Sequence, residues 1–220
     1  MHNYMYKTKY LKYKKKYIDL KNNKESNPLF KNIVSNSNLI GSMVDENSYL
    51  ENIFNKFQDG KRLYAESSPG LFLTYGYIKN SCIDDIIKKL EINSDDVFYD
   101  LGSGIGNVCF KISYSTNAKS IGYELVESRH EVATNINNEI SLLENMKDKV
   151  KLFNDDFTKL KDGINDATII FTDSIMFSDS LLKQIENMAY SSPNLRYLIS
   201  MKKLPKSDKF ELVETASCEA

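Results

Sequence analysis

Apolar and polar residues alternate along the chain in two distinct spacings. From Ile83 onward, short apolar runs alternate with segments in which apolar residues recur every three or four positions, which predict strands and helices respectively. The predicted strands are 97–101, 120–124, 150–153, 168–173, 196–201 and 210–215, and the predicted helices are 83–90, 106–115, 128–145 and 180–188. This alternation indicates an α/β fold: a doubly wound, mostly parallel sheet that binds ligands at the carboxyl ends of its strands.

The first 60 residues have a different pattern. Apolar side chains spaced by three or four residues predict a helix with one aromatic face and lysines elsewhere; they are Tyr6, Tyr10, Tyr13, Tyr17 and Leu20. A polar stretch containing Pro28 predicts a linker over 22–32, and a second helical segment is expected over 45–57. The N-terminal region is therefore predicted to be an arm separate from the core.

Charge is distributed unevenly between this arm and the rest of the chain. Residues 1–24 hold eight lysines and one acidic residue, Asp19, whereas the remainder carries 21 basic and 29 acidic side chains. A basic arm predicts contact with a polyanion such as nucleic acid or an acidic membrane surface. No apolar run approaches the roughly 20 residues that cross a bilayer. The three cysteines and two histidines lack metal-ligand spacing, so we predict no metal site.

The run VFYDLGSGIGN carries the strongest chemical signal. Asp100 ends a predicted strand, and Gly102, Gly104 and Gly106 form the turn that opens the next helix. Glycines allow close approach of a ligand, and the helix N-terminus offers free N–H groups. The pattern D-x-G-x-G-x-G is complete, but the dinucleotide fingerprint G-x-G-x-x-G needs a glycine where Asn107 stands. The turn therefore favours a methyl donor over a nicotinamide cofactor.

Two further acidic positions follow the next strands. Glu124 ends the second strand, where a carboxylate can accept the ribose hydroxyls of an adenosine cofactor. After the third strand, Asp156 can bind the adenine amino group while Phe157 packs on the purine. In the alternative interpretation, Asp156 caps a turn and Phe157 belongs to the core.

The segment from Thr74 to Glu124 resembles the disruptor-of-telomeric-silencing (Dot1-like) histone lysine methyltransferases in its YG loop, amphipathic helix, acidic turn and F-x-DLGSG-x-G motif. The likeness extends over about residues 60–215. It implies an enzyme that uses S-adenosyl-L-methionine, without a SET domain, to methylate a lysine in the folded core of a histone in nucleosomes. It also implies that Glu124 and the Asp156–Phe157 pair hold the adenosine, and that Tyr75 and Gly76 cover the methionine end.

The resemblance also implies the fold and its division into parts. We expect a class I methyltransferase (Rossmann-like) sheet with an N-terminal helical extension. The expected parts are an arm and linker at 1–27, a helical segment and cofactor-covering loop at 28–80, and the cofactor-binding core at 81–220. The family's sheet ends in a hairpin whose seventh strand lies between the fifth and sixth, and only three residues follow 210–217 here. We therefore expect the last strand of the sheet to be missing from these residues and the natural chain to continue past Ala220.

The chain departs from the family at the substrate end. The family's two asparagines in NN-F-x-F are Asp173 and Ser174 here, and Tyr77 replaces a glutamate after the YG pair. Asp173 can still hold a lysine ammonium and Ser174 offers a hydroxyl, although Asp173 can equally cap the following turn. The aromatic residues predicted to line a lysine channel are Phe72, Tyr75 and Phe177, each of which can also be core.

The resemblance implies partners and a location as well. The expected partners are a histone in the nucleosome and DNA, which the arm would contact through Lys12, Lys14, Lys15 and Lys16; no membrane partner is expected, and the protein is expected to be a monomer. The lysine- and tyrosine-rich start also resembles N-termini of giant DNA virus proteins. The predicted location is the nucleus or, for a viral protein, the host nucleus or cytoplasmic virus factory. Two alternatives stay open: a class I methyltransferase with another protein, nucleic acid or small-molecule substrate, and a catalytically weak chromatin-binding module.

Overall fold

The computed structural model describes residues 2–8, 50, 52–54, 78–160 and 163–217. Seven strands occur in this part of the chain: β1 His2–Thr8, β2 Val97–Leu101, β3 Lys119–Glu124, β4 Val150–Asn154, β5 Ile169–Thr172, β6 Tyr197–Ser200 and β7 Phe210–Ser217. The α-helices with complete bounds are α1 Asn80–Leu90, α2 Asn107–Thr116, α3 Glu127–Ile140 and α4 Asp179–Ser191. Short 3₁₀ turns lie at Glu144–Met146 and Phe157–Lys159.

The strands form one mixed sheet in the order β4-β3-β2-β5-β6-β1-β7. The five strands from β4 to β6 are parallel, and β1 is antiparallel to both of its neighbours. The strand order turns back next to β2, as in doubly wound sheets, which bind ligands beyond the carboxyl ends of their strands at such a point. The predicted fold class is confirmed, and its carboxyl edge is the place for a site.

Helices cover both faces of the sheet. Helices α1 and α2 pack on one face in a cluster that includes Ile83, Ile112 and Phe98, and α3 extends this layer with Ile136 and Ile140. Helix α4 covers the other face through three buried side chains, Leu182, Ile185 and Ala189. Parallel strands buried on both faces are expected to be almost continuously apolar. The four buried residues of β5 accordingly read IIFT.

Strand β1 corrects two predictions. Residues 6–8 belong to a strand and do not begin a helix. The sheet also does not lack its last strand, because β1 lies between β6 and β7, where the family's seventh strand was expected. Met5 is fully buried in the core cluster on the α1 face, and Tyr6 is buried on the α4 face. Alternate burial on two faces is the period of a strand. The first residues of the chain are therefore part of the core sheet and not of a separable arm.

The remaining elements agree with the prediction within a few residues. The predicted helix 128–145 ends at Ile140 and is followed by the 3₁₀ turn. Residues 50 and 52–54 are helical, as expected for the segment 45–57, and Leu50 and Phe54 are buried in the α3 cluster. The rest of the predicted arm and linker lies outside the described residues. No helix among the described residues has the length and apolar character of a membrane span.

Candidate functional site

The glycine turn between β2 and α2 is shaped by backbone conformations that favour glycine. Gly102, Gly104 and Gly106 all have positive φ, between 56° and 94°. A Cβ on Gly106 would also lie 2.8 Å from the ring of Phe110. The N–H groups of Gly102 and Ser103 both donate to the carbonyl oxygen of Tyr123, at 2.9 Å each, which holds the turn against the end of β3. The predicted cradle at the start of α2 is therefore present.

Glu124 joins this turn to the start of α3. Its Oε2 accepts a hydrogen bond from the backbone N–H of Gly104 at 2.8 Å, and its Oε1 accepts from the N–H of Val126 at 2.8 Å. The side chain is buried. Each carboxylate oxygen has two lone pairs, so each can accept one bond more. The predicted carboxylate thus lies at the glycine turn and keeps accepting capacity.

Asp100 lies beside Glu124 and carries the strongest electrostatic signal of the site. The residue is buried, and within the described part of the chain its Oδ1 has no hydrogen-bond partner. Burial raises the pKa of the Asp100 carboxyl well above its ordinary value, and the negative charges of Asp173 and Glu124 add to this effect. Unpaired buried carboxylates are costly, and they are found where a ligand supplies the missing partner. The group suits a cationic or hydrogen-bond-donating ligand.

Asp156 and Phe157 also lie at this edge, after β4. The Oδ1 of Asp156 accepts from the backbone N–H of Thr158 at 3.0 Å and from its hydroxyl at 2.6 Å, and its Oδ2 pairs with Lys159 at 3.0 Å. Burial would raise the pKa of Asp156, but these donors from Thr158 and Lys159 lower it overall. The capping interpretation is therefore visible in the structure, and adenine binding by Asp156 stays a prediction.

The rings of Phe157 and Phe177 pack against each other, and Phe177 lies next to the glycine turn. Their ring centroids are 6.3 Å apart, and both rings are partly buried against the α4 cluster. The Cζ of Phe177 lies 3.5 Å from the place that a Cβ on Gly102 would take. Phe177 thus packs against the core and also lies next to the glycine turn. This position is compatible both with a core residue and with a residue that lines the lysine channel.

The two residues that replace the family's asparagines have different surroundings. Asp173 is half-buried and close enough to Asp100 to affect its titration. Burial raises the pKa of Asp173, and a hydrogen bond from the backbone N–H of Ile175 acts in the opposite direction. Ser174 is fully buried, and its Oγ lies 2.6 Å from the Oγ of Ser200. Asp173 therefore lies at the edge of the site, whereas Ser174 is hydrogen-bonded in the interior of the protein.

The predicted cover, Tyr75 and Gly76, lies outside the described residues, as do the predicted channel residue Phe72 and Tyr77, which replaces the family's glutamate. Asn107 is described and buried, with its Nδ2 3.5 Å from the carbonyl oxygen of Ile78.

The sequence prediction did not include Leu125 among the site residues, although it follows Glu124 directly and its side chain is 53% exposed. Its carbonyl and that of Glu124 accept from the side-chain amide of Asn154, at 3.2 and 2.8 Å. An apolar residue directly after the acidic end of β3 was the available signal.

Sequence comparison finds relatives for most of the chain. The family model described as "Histone methylation protein DOT1" matches residues 52–218, more than half of the chain. A Kluyveromyces lactis protein named "Histone-lysine N-methyltransferase, H3 lysine-79 specific" is 25% identical over 207 residues, which cover 86% of this chain and 34% of the relative. A Caenorhabditis elegans protein of the same name is 33% identical over 120 residues, covering 51% and 13%. The chain thus spans about a third or less of these relatives.

Solved structures with a similar fold include two nucleic-acid methyltransferases. The RNA methyltransferase of Salinibacter ruber, in complex with S-adenosyl-L-homocysteine, aligns with a TM-score of 0.46 and 19% identity over 53% of this chain and 71% of the other. The tRNA (m1A58) methyltransferase of Aquifex aeolicus aligns with a TM-score of 0.45 and 19% identity over 67% and 49%. The sequence match over residues 52–218 is the stronger finding.

Proposed function

Because the chain belongs to the family of the histone methylation protein DOT1, we propose that it is an S-adenosyl-L-methionine-dependent histone lysine N-methyltransferase. The proposed substrate is a lysine in the folded core of a histone in nucleosomes. The observation that supports this best is the meeting of Asp100, the glycine turn and Glu124 at the carboxyl edge of the sheet, with one buried carboxylate oxygen lacking a partner in the described part of the chain.

The described residues fit the proposed cofactor. The Oδ1 of Asp100 suits the ammonium group of the methionine end, because an unpaired buried carboxylate is stabilised by a cationic partner. Glu124 has lone pairs for the ribose hydroxyls, and the exposed side chain of Leu125 next to it suits an adenine face. Phe177, which packs on Phe157, lies next to Gly102 of the glycine turn. When bound, the cofactor supplies an electrophilic methyl group on a sulfonium.

The protein's part in the reaction is positioning and removal of water. Transfer of a methyl group to an amine needs no covalent intermediate with the enzyme, so rate comes from holding the nucleophile in line. A lysine entering past Phe177 leaves water, and this desolvation lowers the pKa of its ammonium. Asp173, at the same edge, accepts a hydrogen bond from the lysine nitrogen and orients it. Ser174, fully buried and hydrogen-bonded to Ser200, supports the loop that carries Asp173.

The nucleosome contact is proposed to involve DNA as well as a histone. Four lysines of the N-terminal segment would bind phosphates; they are Lys12, Lys14, Lys15 and Lys16. Strand β1 ends at Thr8, opposite Phe210 at the start of β7, so the chain leaves the sheet at the edge away from the glycine turn. A nucleosomal substrate implies the nucleus or, for a viral protein, the host nucleus or virus factory.

A different substrate is the second candidate, favoured by the TDSIMF sequence. Because Asp173 and Ser174 replace two asparagines, the substrate end can select another protein, a nucleic acid or a small molecule while the cofactor end is unchanged. Reaction of the protein with labelled S-adenosyl-L-methionine and, separately, nucleosomes, free histones and DNA distinguishes these cases. The proposal expects label in a nucleosomal core histone. Label only in DNA or free histone tails would contradict it, and no transfer with intact cofactor binding would indicate a weak chromatin-binding module.

A further inference from the structure

We propose that Lys202 is a positioning residue that clasps the loop 173–178 to the end of β6 and so holds Asp173 and Phe177 at the site. This inference rests on the proposed function, because the loop matters only if its residues face a reacting lysine.

Lys202 contacts the loop at two places and the first residue of α4 at a third. Its Nζ donates to the carbonyl oxygen of Phe177 at 2.8 Å and forms an ion pair with the Oδ1 of Asp179 at 2.9 Å. Its backbone N–H donates to the Oγ of Ser174 at 3.2 Å. The carbonyl oxygen of Lys202 in turn accepts from the Oγ of Ser200 at 2.6 Å, so the residue is itself fixed to β6.

The contact with the Phe177 carbonyl is the important one of the three. The side chain of Asp179 is 75% exposed, and exposed ion pairs are weakened by water and salt. The carbonyl oxygen of Phe177, in contrast, belongs to the backbone that carries the Phe177 ring next to Gly102 and Phe157. A charged donor makes a stronger hydrogen bond to such an oxygen than a neutral one does. Lys202 therefore fixes the backbone at the aromatic end of the loop.

The loop held in this way connects the cofactor side to the substrate side. It begins with Asp173, whose charge acts on Asp100, and it ends with Phe177 above the glycine turn. Between them, Ile175 and Met176 are 38% and 50% exposed and form an apolar rim. Because a displacement of about 1 Å at a reacting centre can cost roughly a hundredfold in rate, a loosened loop should lower turnover more than binding.

Substitution of Lys202 by methionine tests this role, because methionine keeps most of the stem but removes the charge and the donor. We expect kcat on nucleosomes to fall at least about tenfold, with KM and cofactor affinity unchanged within about twofold. Lys202→Arg should restore a large part of kcat. Lys203→Met is the matched control, because the neighbouring Lys203 is exposed, and it should behave like the unmodified protein. Asp179→Asn removes only the ion pair and should have a small effect.

An unchanged kcat in Lys202→Met would overturn the inference. If KM rises while kcat stays constant, Lys202 is instead a substrate-binding residue. Hydrogen exchange gives a readout that does not depend on activity: amides of 173–178 should exchange faster in Lys202→Met, while those of β2 and β3 keep their protection. Unchanged exchange in the loop would also refute the clasp. If the unmodified protein methylates nothing, the proposed function fails, whereas the exchange result still decides the clasp.

Discussion

The hydroxyl of Tyr6 accepts a hydrogen bond from the backbone N–H of Leu204 at 2.8 Å, although 198 residues separate the two in the chain. This bond joins β1 to the segment after β6. Together with the pairing of β1 to β6 and β7, it makes the N-terminal strand an internal part of the sheet. Without β1, β6 would have an unpaired edge and β7 would have no partner among the described strands, and unpaired edges favour aggregation.

The burial of Met5 gives the first prediction. Met5→Ala should lower the free energy of unfolding by about 2–5 kcal/mol, the usual cost of truncating a buried methionine. Lys7→Ala is the control: Lys7 is only half-buried, and loss of its contact with the ring of Tyr197, 5.7 Å from Nζ, should cost no more than about 1 kcal/mol. Urea denaturation measures both. Equal stability of Met5→Ala and the unmodified protein would mean that β1 is not in the sheet.

The bonds of Glu124 give the second prediction. Glu124→Ala should weaken binding of S-adenosyl-L-methionine by more than about tenfold, or roughly 1.4 kcal/mol, because hydroxyl contacts are lost. The substitution also leaves the N–H groups of Gly104 and Val126 without their acceptor, so stability should fall as well. Calorimetry and thermal unfolding separate the two effects, with the exposed Glu131→Ala as control. Tight NADH binding without binding of the methyl donor would refute the cofactor assignment.

The sequence was sufficient to predict the order of elements from Ile83 to Thr215 because period-two and period-3.6 patterns follow burial directly. It was also sufficient to predict that Asp100 and Glu124 lie near each other, because the carboxyl ends of parallel strands lie at the same edge of the sheet. It failed for β1, since the spacing of Tyr6 and Tyr10 fits a helix while pairing with β6 and β7 depends on residues near the other end of the chain. Lys202 was missed for the same reason: its partners Ser174 and Phe177 lie on another strand's loop.

The raised pKa of Asp173 gives the third prediction. Burial raises this pKa, so the folded protein holds the proton more tightly than the unfolded chain does. Such a group stabilises the fold at low pH, and that contribution is lost as the pH rises above about 3.9 through the folded pKa. Asp173→Asn cannot ionise. Its stability relative to the unmodified protein should therefore increase in urea denaturation as the pH rises from about 3.9 through the folded pKa of Asp173. The exposed Asp95→Asn should show no such trend, and an equal trend in both would contradict the assignment.

The lysines after β1 give the last prediction. Replacing Lys12, Lys14, Lys15 and Lys16 by glutamine should weaken nucleosome binding on any DNA sequence, because contacts with phosphates do not distinguish bases. Each lost phosphate contact should reduce the slope of log affinity against log salt by about 0.9, so the slope should fall by up to about 3.6. Cofactor affinity should not change, because these lysines are not among the residues predicted to bind the cofactor. Titrations at several salt concentrations measure the slope. If the quadruple variant binds nucleosomes with the same affinity and the same slope, these lysines do not contact DNA, and the basic segment is only a solvated surface.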